Sequence, residues 1–303
     1  MATEVSFTVD TPRGPRALSV CYERRGEGEP LLLLHGIGHH WQAWEPVLDV
    51  LAGERDVIAA DLPGFGGSEA LPDGVAYDPV AVVPALGALC AALGVERPHV
   101  AGNSLGGLLA LGMGRAGLAR SVTALSPAGF WSEAERRYAY AALRAMRLGA
   151  RALPVPLIER LSRSAAGRVA LTSAIYARPA RRSPEAVVAE ALALRAAVGF
   201  ERTLAAGRGV PYREDVPGVP VTIGWGTRDR LLSPRQGLRA RGVLPRARLV
   251  RLPGCGHVPM HDDPALVARV LLDGSGGLTA RPTGRGADRR SGGAAAGEGP
   301  SQR

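Results

Sequence analysis

Short apolar runs alternate with longer helical patterns over most of this chain. Residues 5–9 and 17–22 alternate apolar and polar positions on either side of a turn-rich segment at 11–15, which predicts an antiparallel opening hairpin. Residues 31–34, 57–60 and 100–101 are uninterrupted apolar runs, the pattern of strands covered by helices on both faces, and 122–125 reads as another strand. Between them, residues 41–51, 80–93 and 104–115 read as helices. The alternation resumes late in the chain, with strands at 219–223 and 248–252 and a helix at 235–243. A last helix opens at Pro264, with Asp262-Asp263 as an acidic cap before a proline in the first turn. Strands and helices in this order predict an α/β fold with a mainly parallel central sheet and right-handed crossovers.

The alternation stops between residues 130 and 215, which are helical in pattern and punctuated by Pro154, Pro156, Pro179 and Pro184. An insertion of this size between two core strands reads as a helical cap over the carboxyl edge of the sheet, where α/β folds bind ligands. The expected organisation is therefore a core from residues 1–129 and 216–273 with a cap at 130–215. The last segment, 274–303, is rich in Gly, Ser, Ala and Arg without an apolar period and reads as a disordered tail. No internal repeat is visible.

Composition narrows the class. With 303 residues and 46% hydrophobic content, the chain can bury one large core or a core plus a smaller subdomain. No stretch approaches the roughly 18 apolar residues of a membrane span, and the first residues, Met-Ala-Thr-Glu-Val-Ser, have neither the basic nor the apolar region of a secretory signal. Cys21, Cys90 and Cys255 form an odd, sparse set, which points to a reducing compartment and a cytoplasmic location. The formal charge is +9, and every basic residue is arginine. Residues 130–215 hold 15 arginines against 8 acidic residues, and 274–303 hold 5 against 2, so the remainder is close to neutral. Without a recognition motif or interleaved aromatic and basic residues, this basicity does not read as a nucleic-acid surface.

Candidate chemistry centres on Gly102-Asn103-Ser104-Leu105-Gly106, a G-x-S-x-G placed between an apolar run and a helical stretch. In a nucleophile elbow of this kind the serine occupies a strained strand-to-helix turn, and side chains at the flanking glycines would collide with neighbouring elements. A neutral serine needs an adjacent base, and the chain supplies an acid after a strand at Asp229 and a late histidine in Gly256-His257. Ser, Asp, His is the chain order of one known triad arrangement. Among six histidines, only His257 lies on a glycine-flanked turn after a late strand, with His261 as the fallback. The bland readings are an N-cap serine, a turn aspartate beside Arg228 and Arg230, and a turn histidine; none of them accounts for all three together.

These segments, LLLLHGIG, DLPGFGGS, GNSLGG, IGWGTRDRLL and GCGHVPMHDDP, resemble the α/β-hydrolase family. The resemblance covers residues 5–272 apart from the cap. It implies Ser104 as nucleophile, His257 as general base and Asp229 as its orienting acid, with an oxyanion hole from the backbone amides of Ile37 and Leu105. Some relatives carry the acid one strand earlier, where this chain reads Leu125-Ser126-Pro127-Ala128 without a carboxylate. Serine rather than aspartate at the elbow disfavours haloalkane dehalogenase and epoxide hydrolase chemistry. Trp41, Asn103, Phe130 and Trp131 are the candidate pocket residues. His35 is expected to brace the early loop.

Other motifs read as structural. Asp61-Leu-Pro-Gly-Phe-Gly-Gly-Ser68 lacks both phosphate-loop signatures and reads as a turn after a core strand. His39-His40 has no carboxylate or thiolate at ligand spacing and reads as an exposed pair near the cap, so no metal and no organic cofactor is expected. Trp41 and Trp44 share a helical face suited to core packing. The expected activity is hydrolysis of a carboxylic ester through an acyl-enzyme. The alternatives are C–C bond hydrolysis of ring-cleavage diketo acids, and a non-catalytic binding module on the same fold. Cap arginines such as Arg136, Arg137, Arg144, Arg147 and Arg151 could draw an anionic small-molecule substrate, or could simply form a solvated face.

Overall fold

The structure, a computed structural model, describes residues 3–207 and 212–276. Its centre is a sheet of eight strands: β1 (Thr3–Val9), β2 (Arg16–Arg25), β3 (Pro30–Leu34), β4 (Asp56–Ala60), β5 (His99–Asn103), β6 (Ser121–Leu125), β7 (Val221–Gly226) and β8 (Arg248–Leu252). Their order is β1-β2-β4-β3-β5-β6-β7-β8. β1 and β2 form the expected hairpin, and β2 pairs antiparallel to β4, so β2 alone runs against the rest of the sheet. Every other pairing is parallel. Their largely apolar sequences explain why: β3, β4, β5 and β6 are buried along almost their whole length, as strands covered on both faces must be.

Two helical layers provide that cover. On one face lie α2 (Pro79–Ala92), α3 (Leu105–Arg115) and α9 (Arg235–Val243), and on the other α1 (Glu45–Ala52) and α10 (Pro264–Gly274). The sequence-expected helix at 41–51 divides into a 3-10 turn, Trp41–Trp44, and α1, with Pro46 in the first turn of α1. β7 starts two residues later than the pattern of 219–223 indicated and runs further, taking in Trp225 and Gly226, because these two residues pair with Arg251 and Leu252 of β8. α10 continues to Gly274, and the guanidinium of Arg55 donates to the Ser275 carbonyl at 2.9 Å. Gly274 and Ser275, read from sequence as the start of a tail, are therefore packed against the core. The rest of that tail, from residue 277, lies outside the described residues.

Between β6 and β7 come α4 (Glu133–Ala152), α5 (Val155–Arg163), α6 (Ala165–Thr172), α7 (Pro184–Ala196) and α8 (Phe200–Ala206). Three of their starts carry a serine cap: Ser132 on α4 in a reciprocal box with Glu135, Ser164 on α6 and Ser183 on α7. Many arginines of this segment are structural. Arg147 donates to the Ala197 carbonyl and stacks on Phe200, Arg195 donates to the Ala150 and Leu153 carbonyls, and Arg168 donates to the Ser162, Arg163 and Ala180 carbonyls. The chain leaves β3 toward β4 on one side and returns to β5 on the other. The crevice beyond the carboxyl ends of β3 and β5 is thus the topological switch point of the sheet, the position where such folds hold ligands.

Candidate active site

Ser104 sits at that switch point, between the end of β5 and the start of α3, with φ 55° and ψ −113°. This backbone conformation is rare for a residue with a side chain and costs about 1–3 kcal/mol. It is held by neighbours: the Ser104 amide donates to the Leu125 carbonyl at 2.9 Å, and its own carbonyl accepts from Leu108 and Ala128. The two motif glycines are there for space. A side chain on Gly102 would overlap the Gly106 carbonyl, and one on Gly106 would overlap the Leu34 carbonyl of β3.

His257 follows β8 on a loop that crosses to the inserted helices, its amide donating to the Ile175 carbonyl at 2.8 Å. Its Nδ1 lies 2.9 Å from Asp229 Oδ2, and both side chains are buried. Asp229 Oδ1 accepts from the Leu231 and Leu232 amides at 2.9 and 2.8 Å, so each carboxylate oxygen has a defined role in orientation. Asn103, beside Ser104, donates to the His257 carbonyl at 2.9 Å and the Leu125 carbonyl at 3.1 Å. Its amide serves the loop geometry as well as the cavity wall.

Ser104 and His257 line one cavity of about 370 Å³, closed on the far side by α4, α5, α6 and α7. A second cavity, about 680 Å³, also reaches Ser104, and Ile37 and Leu105 line it. Among the described residues, neither the Ile37 amide nor the Leu105 amide has a hydrogen-bond acceptor. Gly36 brings the early loop against Ser104: a Cβ there would stand 3.4 Å from the serine Cβ. His35 holds this loop, its Nε2 accepting from the Leu62 amide at 2.9 Å while Nδ1 donates to the Gly36 carbonyl. Burial pushes its pKa down to about 3, so the imidazole is neutral. Asp61 organises the neighbouring glycine-rich turn by accepting from the Trp41 and Gly67 amides.

Some sequence expectations need correction. Trp41 lies outside both cavities, where its amide binds Asp61 and its ring packs on the core face under α1. Phe130 is buried in the core against Tyr212, ring centroids 5.3 Å apart. Asn103 lines the smaller cavity and Trp131 the larger. His39 is no exposed histidine: it lines the smaller cavity, and burial drives its pKa well down. Among the described residues no group of three His, Cys, Asp or Glu side chains is arranged to hold a metal ion. The thiol of Cys255, near His257 in sequence, is buried and pushed up to about 12.

Two residues escaped the sequence reading. Asp262 is no helix cap, since Asp263 fills that role; it accepts the Gly256, Ala177 and Arg178 amides instead. Glu190 lines the smaller cavity from α7. Its signal was present as a lone acid within the apolar spacing Val187, Ala191, Leu194.

Comparisons with known proteins identify the family and the fold. The sequence model of the Alpha/beta hydrolase family matches residues 31–270. Over 253 residues the chain is 30% identical to an uncharacterized protein of Mycobacterium tuberculosis (strain ATCC 25618 / H37Rv), covering 79% of this chain and 73% of that one. A shorter stretch of 93 residues is 42% identical to a pimeloyl-[acyl-carrier protein] methyl ester esterase of Aeromonas hydrophila, 31% of this chain and 35% of that protein. Among solved structures, a thermophilic esterase from Thermogutta terrifontis superposes with a TM-score of 0.68 at 22% identity, over 89% of this chain and 97% of that one, a likeness of fold.

Proposed function

The chain belongs to the alpha/beta hydrolase family, and we propose that within it this protein is a serine hydrolase that cleaves a carboxylic ester through an acyl-enzyme. The observation that carries the reading is His257, paired with buried Asp229, lining one cavity with a serine in strained backbone. His257 takes the Ser104 proton as the hydroxyl attacks the ester carbonyl, and later returns it to the leaving alcohol. Asp229 fixes the ring so that Nδ1 carries the hydrogen and Nε2 is free to accept. The unpartnered Ile37 and Leu105 amides receive the negative oxygen of the tetrahedral intermediate, where losing one such donor typically costs about 10²–10³ in rate. Water activated by the same imidazole then releases the acid.

The helices from 130 to 215 act as a cap, and their inner faces set the substrate. The cavity holding Ser104 and His257 is walled mainly by Leu, Ile, Val, Met and Ala, with no arginine among its described lining residues. A predominantly apolar chain suits it better than a diketo acid carrying a carboxylate, which ranks ester hydrolysis above C–C hydrolysis. The three unpaired thiols suit a reducing, cytoplasmic setting. No described helix is long and apolar enough to cross a membrane.

The test is turnover of p-nitrophenyl butyrate by the wild type and by Ser104→Ala, beside labelling with a fluorophosphonate. Turnover and labelling present in the wild type and absent in Ser104→Ala are expected. Saturable binding of the ester without turnover or labelling would mark a binding module and overturn the proposal.

A further inference from the structure

The outer face of α4 carries a pattern that the ester reaction does not use. Arg137, Tyr138, Ala141, Arg144, Leu148 and Arg151 are all exposed, and their spacing puts them along one side of the helix. Tyr138 and Leu148 are 55% and 67% exposed, although both are large and apolar. The opposite side of α4 is the inner one: Leu143, Met146 and Ala150 wall the smaller cavity, and Ala139 and Tyr140 the larger. A helix that only covers a core needs one apolar face, and α4 has large apolar side chains on two.

Charge on this face is of one sign. The three arginines stand seven residues apart, so they form a nearly straight row about 21 Å long. No acidic residue occurs between Arg136 and Ile158. Glu133, one turn before Arg137, is bound by Arg136. Arg137 and Arg151 have no ion-pair partner among the described residues, and Arg144 meets Glu201 only at 4.0 Å, with both side chains about half exposed. Arg147, Arg168 and Arg195 differ, since cap carbonyls engage their guanidinium groups. A row of unengaged guanidinium forks suits phosphates, which each fork binds through two hydrogen bonds. Tyr138 and Leu148 lie among the arginines, and a layer of lipid headgroups above acyl chains accommodates both kinds of side chain. An acidic protein would have to match three fixed positions, whereas a phospholipid surface offers phosphates at any of them. The smaller cavity behind α4 has mainly apolar walls, and an ester that fits it partitions into lipid.

We propose that the exposed face of α4 docks the protein reversibly on an anionic phospholipid surface, with Arg137, Arg144 and Arg151 on the phosphates and Tyr138 and Leu148 in the headgroup layer. Docking belongs to this face and not to the catalytic residues. Only the link to a lipophilic ester rests on the serine-hydrolase reading.

The experiment is cosedimentation of the full chain with vesicles of phosphatidylcholine, alone or mixed with an equal amount of phosphatidylglycerol. The wild type and Ser104→Ala are expected to bind the mixed vesicles alike, more weakly as salt is added, and not to bind phosphatidylcholine alone. Arg137→Gln, Arg144→Gln and Arg151→Gln together should lower the affinity by about 100-fold, near fivefold per arginine. Tyr138→Gln with Leu148→Gln should weaken binding too, with its salt dependence kept. All five side chains are exposed, so urea unfolding is expected to stay as in the wild type. Arg13→Gln, Arg16→Gln and Arg241→Gln together remove the same charge from exposed positions off the cap and should leave binding within about twofold. A wild type that ignores the mixed vesicles would overturn the proposal and leave this face to an acidic protein. Equal binding to both kinds of vesicle would overturn it as well. So would equal affinities of the α4 and control triples, which would make net charge alone responsible. If ester turnover and fluorophosphonate labelling are absent while vesicle binding holds, it is the serine-hydrolase reading that fails and the docking face that stands.

Discussion

Asp262 accepts the amide of Gly256 at 2.8 Å, immediately before His257, through the same oxygen that accepts the Ala177 amide at 3.1 Å. Its other oxygen accepts the Arg178 amide at 2.9 Å, and its carbonyl accepts from the Arg178 side chain. One buried carboxylate thus joins the histidine loop to the segment between α6 and α7. Asp262 ties the proposed base to the proposed cap, beside the His257 and Val258 amides on the Ile175 carbonyl.

Asp262→Ala leaves three amides without an acceptor, at about 1–3 kcal/mol each. A loss of roughly 3 kcal/mol or more is expected in urea unfolding. Ester turnover should fall as well, through kcat more than KM, because the ring of His257 loses its fixed position rather than the cavity losing its walls. An unchanged kcat in folded variant protein would show that the histidine loop does not depend on this tie.

Asp229→Asn should be far more harmful than its small change in shape suggests. The asparagine oxygen is expected to keep the Leu231 and Leu232 amides, which only an oxygen can accept. That leaves the NH₂ group against His257 Nδ1 and forces the proton to Nε2, the nitrogen that must receive the serine proton. A drop of about 10³–10⁴ in kcat is expected, with the folded structure retained by circular dichroism. A drop below tenfold would mean that Asp229 does not set the tautomer.

Two glycine substitutions should act in opposite directions. Gly106→Ala places a methyl group into the β3 backbone and should cost well over 3 kcal/mol or prevent folding. Gly149→Ala, in α4 with nothing near the added carbon, should stabilise by about 0.5–1 kcal/mol through helix propensity alone. Thermal and urea midpoints of the pair check both signs.

His35 should make stability fall in acid. Its folded pKa of about 3 lies below the ordinary value of 6.5, so between those values the unfolded chain binds a proton that the folded chain refuses. The contribution is complete above about pH 6.5 and is lost as pH falls toward 3, at about 1.4 kcal/mol per pH unit. His35→Gln keeps an acceptor for the Leu62 amide without titrating, so its stability profile over this range should be shallower by about that slope. Identical profiles would overturn the assignment.

The candidates Ser104, Asp229 and His257 could be picked out of the sequence because each sits on a short segment with its own local logic. The glycines of the elbow answer to steric limits that act within a few residues, and strands buried on both faces have nowhere to place polar side chains, so their apolar runs mark the ends where the site is built. Glu190, Asp262 and His39 were misread or missed for the opposite reason. A carboxylate on a helix looks solvated until the packing of that helix is known, and an acid beside a proline looks like a cap until its neighbour takes that role. The mispredicted Trp41 and Phe130 show the same limit, since an aromatic ring fits a core or a pocket equally well in one dimension. The amino-acid order by itself determined the alternating layers, the switch point and the chemical groups available, through local sterics and burial. Which of those groups face one another across the cavity, and which are left with an unpartnered atom, was decided only by tertiary packing, because hydrogen bonding and desolvation depend on neighbours far away in the chain.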